Sequence, residues 1–217
     1  MRDWRVRLER LKALAEDQAG TPEGELAARL AREITVERQQ LLSTMDLDTR
    51  NQIDPFVRCD LDLGGKAFWR RKVASLTAHH AECVCSFVGA QARLSGRRST
   101  VLVAEHLYRV MSRSIAVERT AWLGANNLLE DVRAGRDFAH SAVLALQHRL
   151  AGLRQQDQHG PESTALVRSD RAALRAWLLQ QGVALKADVP FPYAYTQEGY
   201  EAGYRVPLQK AVEDGVS

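Results

Sequence analysis

Three cysteines, Cys59, Cys83 and Cys85, are all that 217 residues provide, an odd and sparse set that argues against a secreted disulfide framework. No run approaches the roughly 20 apolar residues that span a bilayer, and the opening Met1-Arg-Asp-Trp-Arg lacks the apolar stretch of a signal peptide. The expectation is a soluble, cytoplasmic protein. Aromatic residues are few, at 6%, and no internal repeat of fixed period is present. What is there is ordinary globular composition, 45% hydrophobic and 26% charged, enough to build a core and to exclude disorder of the chain as a whole.

The net charge of +3 conceals a strong local imbalance. Residues 66–119 carry ten basic and three acidic side chains, whereas residues 46–65 carry two and five. Of the 30 basic residues, 25 are arginine. That bias reflects a GC-rich genome at least as readily as a function, although arginine also suits phosphate and carboxylate recognition.

Apolar spacing gives the elements. Trp4, Leu8, Leu11 and Ala15 form a helical stripe. After the break at Asp17–Pro22, with Thr21 as cap and Pro22 as first helical residue, a second helix runs through Leu26, Leu30, Ile34 and Leu41. Residues 44–65, with five Asp, one Pro and no helical period, read as an acidic linker. Beyond it Trp69, Val73, Leu76 and His80 line one helical face, with Arg70 and Arg71 turned away. Glu82–Gly89 and Gln91–Gly96 are the only strand-like runs, a two-stranded hairpin at most. Ser99 is placed to cap a long helix in which Ala104, Met111, Ile115 and Trp122 share a face opposite Arg109 and Arg113. Helices from Phe138 to Arg154 and from Leu166 to Gln181 follow, then an extended Val189–Tyr195 and a short glycine-containing helix.

The predicted fold is therefore mainly α with a small β-hairpin, an α+β arrangement. It comprises an N-terminal helical hairpin (1–45), an acidic linker (46–65), an α-ββ-α module (66–154) and a C-terminal helical segment and tail (155–217).

Leu8–Asp17 followed by Pro22–Ala31 resembles the N-terminal helical pair of the bacterial and phage domain-of-unknown-function family numbered 2786. Trp69 to Leu76, Cys83-Val-Cys85, Gly96-Arg-Arg98 with Val101, Ala104, Leu107 and Tyr108, then Phe138, Leu150 and Gly199–Gly203 resemble the module that accompanies that pair. The resemblance implies association with phage or mobile elements and no established activity. It supplies no catalytic residue.

The chemistry-bearing groups are weighed against plain structural roles. His79, His80, Cys83 and Cys85 put four zinc-compatible donors within seven residues. Adjacent histidines on a helix diverge by about 100°, however, and no second cysteine pair exists, so no metal and no cofactor are expected. Nothing local marks a cysteine of depressed pKa, as a nucleophile would need. Asp46, Asp48, Asp60 and Asp62 fit a solvated linker better than a Ca²⁺ loop, which lacks its Gly and terminal Glu here. Gly199-x-x-x-Gly203 is compatible with a close helix crossing or simply with a turn before Pro207.

The basic middle carries the functional expectation. Arg70, Arg71, Lys72, Arg93, Arg97, Arg98, Arg109 and Arg113 are the candidate nucleic-acid-binding residues, able to merge into one phosphate-contacting patch if hairpin and helices pack in a layer. Trp69 and Trp122 fall on apolar faces, so contact is expected to be weak and without sequence preference. The leading expectation is a non-enzymatic phage or mobile-element accessory protein that contacts nucleic acid or a host or phage protein, with no membrane partner. The alternatives are a metal-dependent hydrolase or nuclease using His79, His80 and Asp60–Asp62, or a structural oligomeric module. Catalysis is left open, as is oligomeric state.

Overall fold

Leu94 is fully buried at the centre of a three-stranded antiparallel sheet, paired on one side with Cys59 and on the other with Cys85. The computed structural model describes residues 47–65, 68–156, 161–183 and 195–206. The elements are α1 (Leu47–Ile53), β1 (Phe56–Asp62), α2 (Phe68–His80), β2 (Val84–Val88), β3 (Gln91–Arg97), α3 (Arg98–Ala125), α4 (Val132–Gln156), α5 (Pro161–Gln180) and α6 (Gln197–Arg205). The chain is mainly helical with a small sheet, an α+β fold as the periodicity implied. One compact unit spans Phe56–Val206, and α1 belongs to the other. The 1–45 hairpin expected from the sequence lies outside the described residues, as does the extended Val189–Tyr195 segment except for Tyr195.

In its own unit, α1 carries Asp48 in its first turn, which complements the positive end of the helix. It stops before Pro55, which disfavours helical geometry at Asp54.

The stretch expected to be a linker is structured: 47–53 is helix and 56–62 is strand. The five Asp obscured a period-two pattern in which Val57, Cys59 and Leu61 alternate with Arg58, Asp60 and Asp62. This strand adds to the hairpin, and the sheet order is β1-β3-β2. The β2–β3 connection is Gly89-Ala90, with Gly89 at φ 60°. Glycine at the first central position with positive φ is what a type II′ hairpin turn demands.

The sheet has two unlike faces. Leu61, Ala92 and Leu94 are buried on the inner face, which packs on α2 and α3. Trp69, Val73, Ala74 and Ala78 from α2 meet it together with Val101, Ala104, Leu107, Met111 and Ile115 from α3. The outer face carries Phe56, Arg58 and Asp60 from β1 opposite Arg97, Ser95 and Arg93 of β3. Side chains of α5 reach it: the Trp177 ring lies 5.7 Å from that of Phe56, and Asp170 accepts a hydrogen bond from Arg97.

Helix α3 starts at Arg98, one residue earlier than a Ser99 cap would give, with Arg97 as N-cap and no side-chain cap bond. Helix α4 also begins earlier than Phe138, because the Asp131 carboxylate accepts the Ala134 N–H at 2.8 Å and caps it. Its apolar face of Phe138, Ala142, Val143, Leu146 and Leu150 is buried, and α6 packs along it. A Cβ at Gly199 would strike the Phe138 carbonyl and one at Gly203 the Ala142 carbonyl, so the two helices meet at backbone distance. The i, i+4 glycines face i, i+4 partners, and the close-crossing reading of Gly199-x-x-x-Gly203 prevails over the simple turn. The C-terminal helix thus belongs to the same compact unit as the α+β module.

Candidate nucleic-acid interface

The eight basic residues singled out from the sequence divide into two groups once the elements are in place. Five serve the fold. Arg70 donates to the Leu63 carbonyl at 2.9 Å and lies over Trp69. Arg71 donates to the Gly89 carbonyl and lies over Phe87. Both are half-buried, where the helical wheel alone had turned them to solvent. Lys72 is half-buried on the same helix and also has a partner. Arg93 grips Asp60 on the neighbouring strand through two hydrogen bonds, 2.6 and 2.8 Å, which lower the Asp60 pKa below the usual carboxylate range. Arg97 is buried, its guanidinium 4.1 Å over the Phe56 ring and its Nη2 3.0 Å from Asp170.

The remaining three, Arg98, Arg109 and Arg113, are exposed on α3. Spacings of 11 and 15 residues bring them back to within about 60° of one another around the helix and distribute them over about 22 Å of its length. Leu102, 48% exposed, lies in the same stripe, and Val117, 61% exposed, extends it. Among the described residues Arg98 and Arg113 form no ion pair. Arg109 pairs with Glu105 four residues before it at 2.6 Å and keeps 73% of its side chain exposed. The first turn of α3 contains no acidic residue, so Arg98 adds its charge to the positive end of a 28-residue helix. The arrangement offers oxyanions a row of guanidinium groups without a stacking platform. Trp69 is buried, and Trp122 is half-buried with its ring stacked 5.0 Å from Phe138.

The other candidate groups are dispersed into structural roles. Cys83 lies 3.2 Å from the Thr100 hydroxyl and packs against Gly96, where a Cβ would collide with its sulfur. Burial, and then the neighbouring Glu105 carboxylate, push the Cys59 thiol pKa up, the opposite of an activated nucleophile. His79 is exposed and His80 half-buried at the end of α2, while Asp60 is held by Arg93. Among the described residues, no group of three or more His, Cys, Asp or Glu side chains could hold a metal ion. No described helix is long and apolar enough to cross a membrane.

Two clusters were not visible from the sequence. Tyr195, Tyr200 and Tyr204 form a chain of ring contacts at 5.6 and 5.3 Å, and the Tyr200 hydroxyl lies 2.9 Å from His148 Nδ1. The i, i+4 spacing of Tyr200 and Tyr204 was its only sequence signal. Arg58 joins Arg93 and Arg97 on the outer face of the sheet, a grouping that becomes readable only when 56–62 is recognised as a strand.

No protein-family model matches the chain, and neither a curated protein nor a solved structure matches it.

Proposed function

We propose that the protein is a binding protein that contacts the phosphate backbone of nucleic acid through the exposed stripe of α3, with no catalytic step of its own. The observation that carries this reading is the disposition of Arg98, Arg109 and Arg113, three guanidinium groups on one exposed helical face, of which, among the described residues, only Arg109 has an ion-pair partner, Glu105. Guanidinium forks match phosphate oxygens in geometry and charge. With no aromatic platform in the stripe, affinity comes from charge, so binding is weak and tolerant of sequence. The resemblance noted above adds a phage or mobile-element setting to this proposal.

The test compares retention of a short duplex by the wild type with that by a triple variant, Arg98→Gln, Arg109→Gln and Arg113→Gln. A control triple variant at Arg133, Arg168 and Arg175, which are exposed elsewhere, carries the same loss of charge. The α3 variant is expected to lose binding and the control to keep most of it. Equal behaviour of the two variants would remove the stripe as the interface and favour a protein partner.

A further inference from the structure

The tyrosine hydroxyls of the described residues have unlike surroundings. Tyr108 lies in the core and reaches the Asp62 carbonyl at 3.4 Å. Tyr195, 60% exposed, donates to the side-chain carbonyl of Gln197 at 2.6 Å. Neither acceptor is a base that takes up a proton near neutral pH. Tyr204, 50% exposed, stands ring to ring with Tyr200 at 5.3 Å. Among the described residues Tyr200 alone meets a base, because its hydroxyl lies 2.9 Å from Nδ1 of His148.

Helix packing sets this pair. Ala142 and Ala145 of α4 press against Gly203 of α6, and Phe138 presses against Gly199. That close crossing brings Tyr200, next to Gly199, onto His148, which stands three residues beyond Ala145 and remains exposed. A neutral imidazole with its proton on Nε2 accepts the phenol hydrogen at Nδ1. The charged groups nearby are engaged elsewhere. Glu201 accepts from Gln197 Nε2 at 2.7 Å, and Arg205 pairs with Glu118 of α3 at 2.6 Å. Arg149 lies over Tyr204 and donates to the carbonyls of Gly203, Tyr204 and Val206. His148 is therefore the group placed to receive the Tyr200 proton. The Tyr204 hydroxyl, and then burial, push the Tyr200 pKa above the ordinary 10, so the phenol holds its proton at neutral pH. Such a phenol gives up an electron readily where a positioned base takes the proton in the same event.

We infer that Tyr200 and His148 form a site of proton-coupled oxidation at which a small one-electron oxidant, of the class of nitrogen dioxide radical, modifies the protein. In the first step the oxidant takes one electron and leaves as nitrite. The Tyr200 O–H bond breaks, its proton forms an N–H bond at His148 Nδ1, and a neutral phenoxyl radical remains. In the second step another nitrogen dioxide radical bonds to the ring carbon beside the C–O carbon, and the hydrogen of that carbon moves to the oxygen. One phenol and two nitrogen dioxide radicals thus give one 3-nitrotyrosine, one nitrite and one proton, the last held by the imidazole. Exposure alone would select Tyr195, whereas the base selects the half-buried Tyr200. The site belongs to α4 and α6 and does not depend on the nucleic-acid reading.

The experiment treats the full chain with limiting nitrogen dioxide radical, generated by pulse radiolysis of nitrite, and maps 3-nitrotyrosine by peptide mass spectrometry. The readout is the ratio of nitration between tyrosines, so oxidant consumed by the free cysteines does not enter it. Tyr200 is expected to carry more nitration than Tyr195 or Tyr204. His148→Gln, at an exposed position, is expected to lower the ratio of Tyr200 to Tyr195 nitration about tenfold. In the wild type, the phenoxyl absorbance that precedes nitration should rise more slowly in deuterium oxide than in water, a measurement that needs no variant. Nitration that follows exposure, with Tyr195 and Tyr204 ahead of Tyr200, would overturn the inference. So would an unchanged ratio in His148→Gln, or a phenoxyl rise equally fast in the two solvents.

Discussion

Gly203 of α6 rests directly against the Ala142 carbonyl of α4, at a separation that leaves no room for a Cβ. Gly199 repeats the arrangement one turn earlier against Phe138, so the pairing of the two helices depends on two absent side chains. Gly203→Ala would gain about 1 kcal/mol of helix propensity, yet it forces the new methyl into fixed backbone. Overpacking of this kind costs about 1–3 kcal/mol and is expected to prevail. Gly152, inside α4 with nothing within 4 Å of its missing Cβ, is the control. Chemical denaturation should show Gly203→Ala destabilised and Gly152→Ala stabilised by roughly 0.5–1 kcal/mol.

Arg149 closes the end of that same helix. Its Nη1 group lies 2.8, 2.9 and 2.7 Å from the carbonyl oxygens of Gly203, Tyr204 and Val206, which a helix C-terminus otherwise leaves unsatisfied. Arg149→Ala is expected to cost about 1–3 kcal/mol in an unfolding titration. Hydrogen exchange at the α6 amides should accelerate before the rest of the unit is affected.

Arg97 and Arg98 are adjacent in sequence and opposite in role. Arg97→Ala removes a buried cation from Phe56 and Asp170 and should cost roughly 2–4 kcal/mol. Arg98→Ala touches nothing buried and should stay within about 0.5 kcal/mol. Nucleic-acid retention should respond in the reverse order once both variants are compared in their folded state.

His140 is buried in α4, and burial, followed by the nearby Arg136 charge, lowers its pKa from the ordinary 6.5. Asp137 opposes that shift in part, and the Phe68 ring meets the imidazole edge-on at 6.5 Å. Below pH 6.5 the unfolded chain takes up a proton that the folded chain resists, so this contribution to stability is complete above 6.5 and is lost as pH falls toward the lowered folded value. Denaturation midpoints measured across this window should fall with pH in the wild type. The fall should be shallower in His140→Gln.

Much of the fold was legible because burial leaves periodic traces. Ala104, Met111 and Ile115 on α3, and Leu174 and Leu178 on α5, are buried as their spacing predicts. The first strand was not legible, because Asp60 and Asp62 read as linker composition and outweighed the alternation of Val57, Cys59 and Leu61. Side-chain roles were the least accessible. Arg70 and Arg71 sit on the polar side of a helical wheel, yet the sheet and its hairpin supply them with the Leu63 and Gly89 carbonyls. Arg93 finds Asp60 from 33 residues away, and Arg97 finds Asp170 from 73. Charge counting along the chain registers the excess between 66 and 119 but cannot tell which cations the fold consumes. Arg109 and Arg113 lie where periodicity put them, facing outward, and Arg98, which the sequence grouped with the hairpin, joins them because it opens α3.

The salt dependence of duplex affinity tests the proposed function most directly. Each phosphate contacted contributes about −0.9 to the slope of log K against log salt, so three engaged arginines give a slope of about −2.7. That slope is expected for the wild type, with little difference between unrelated duplex sequences and a slope near zero when Arg98, Arg109 and Arg113 are all Gln. No detectable binding at low salt, or the wild-type slope persisting in the folded triple variant, would contradict it.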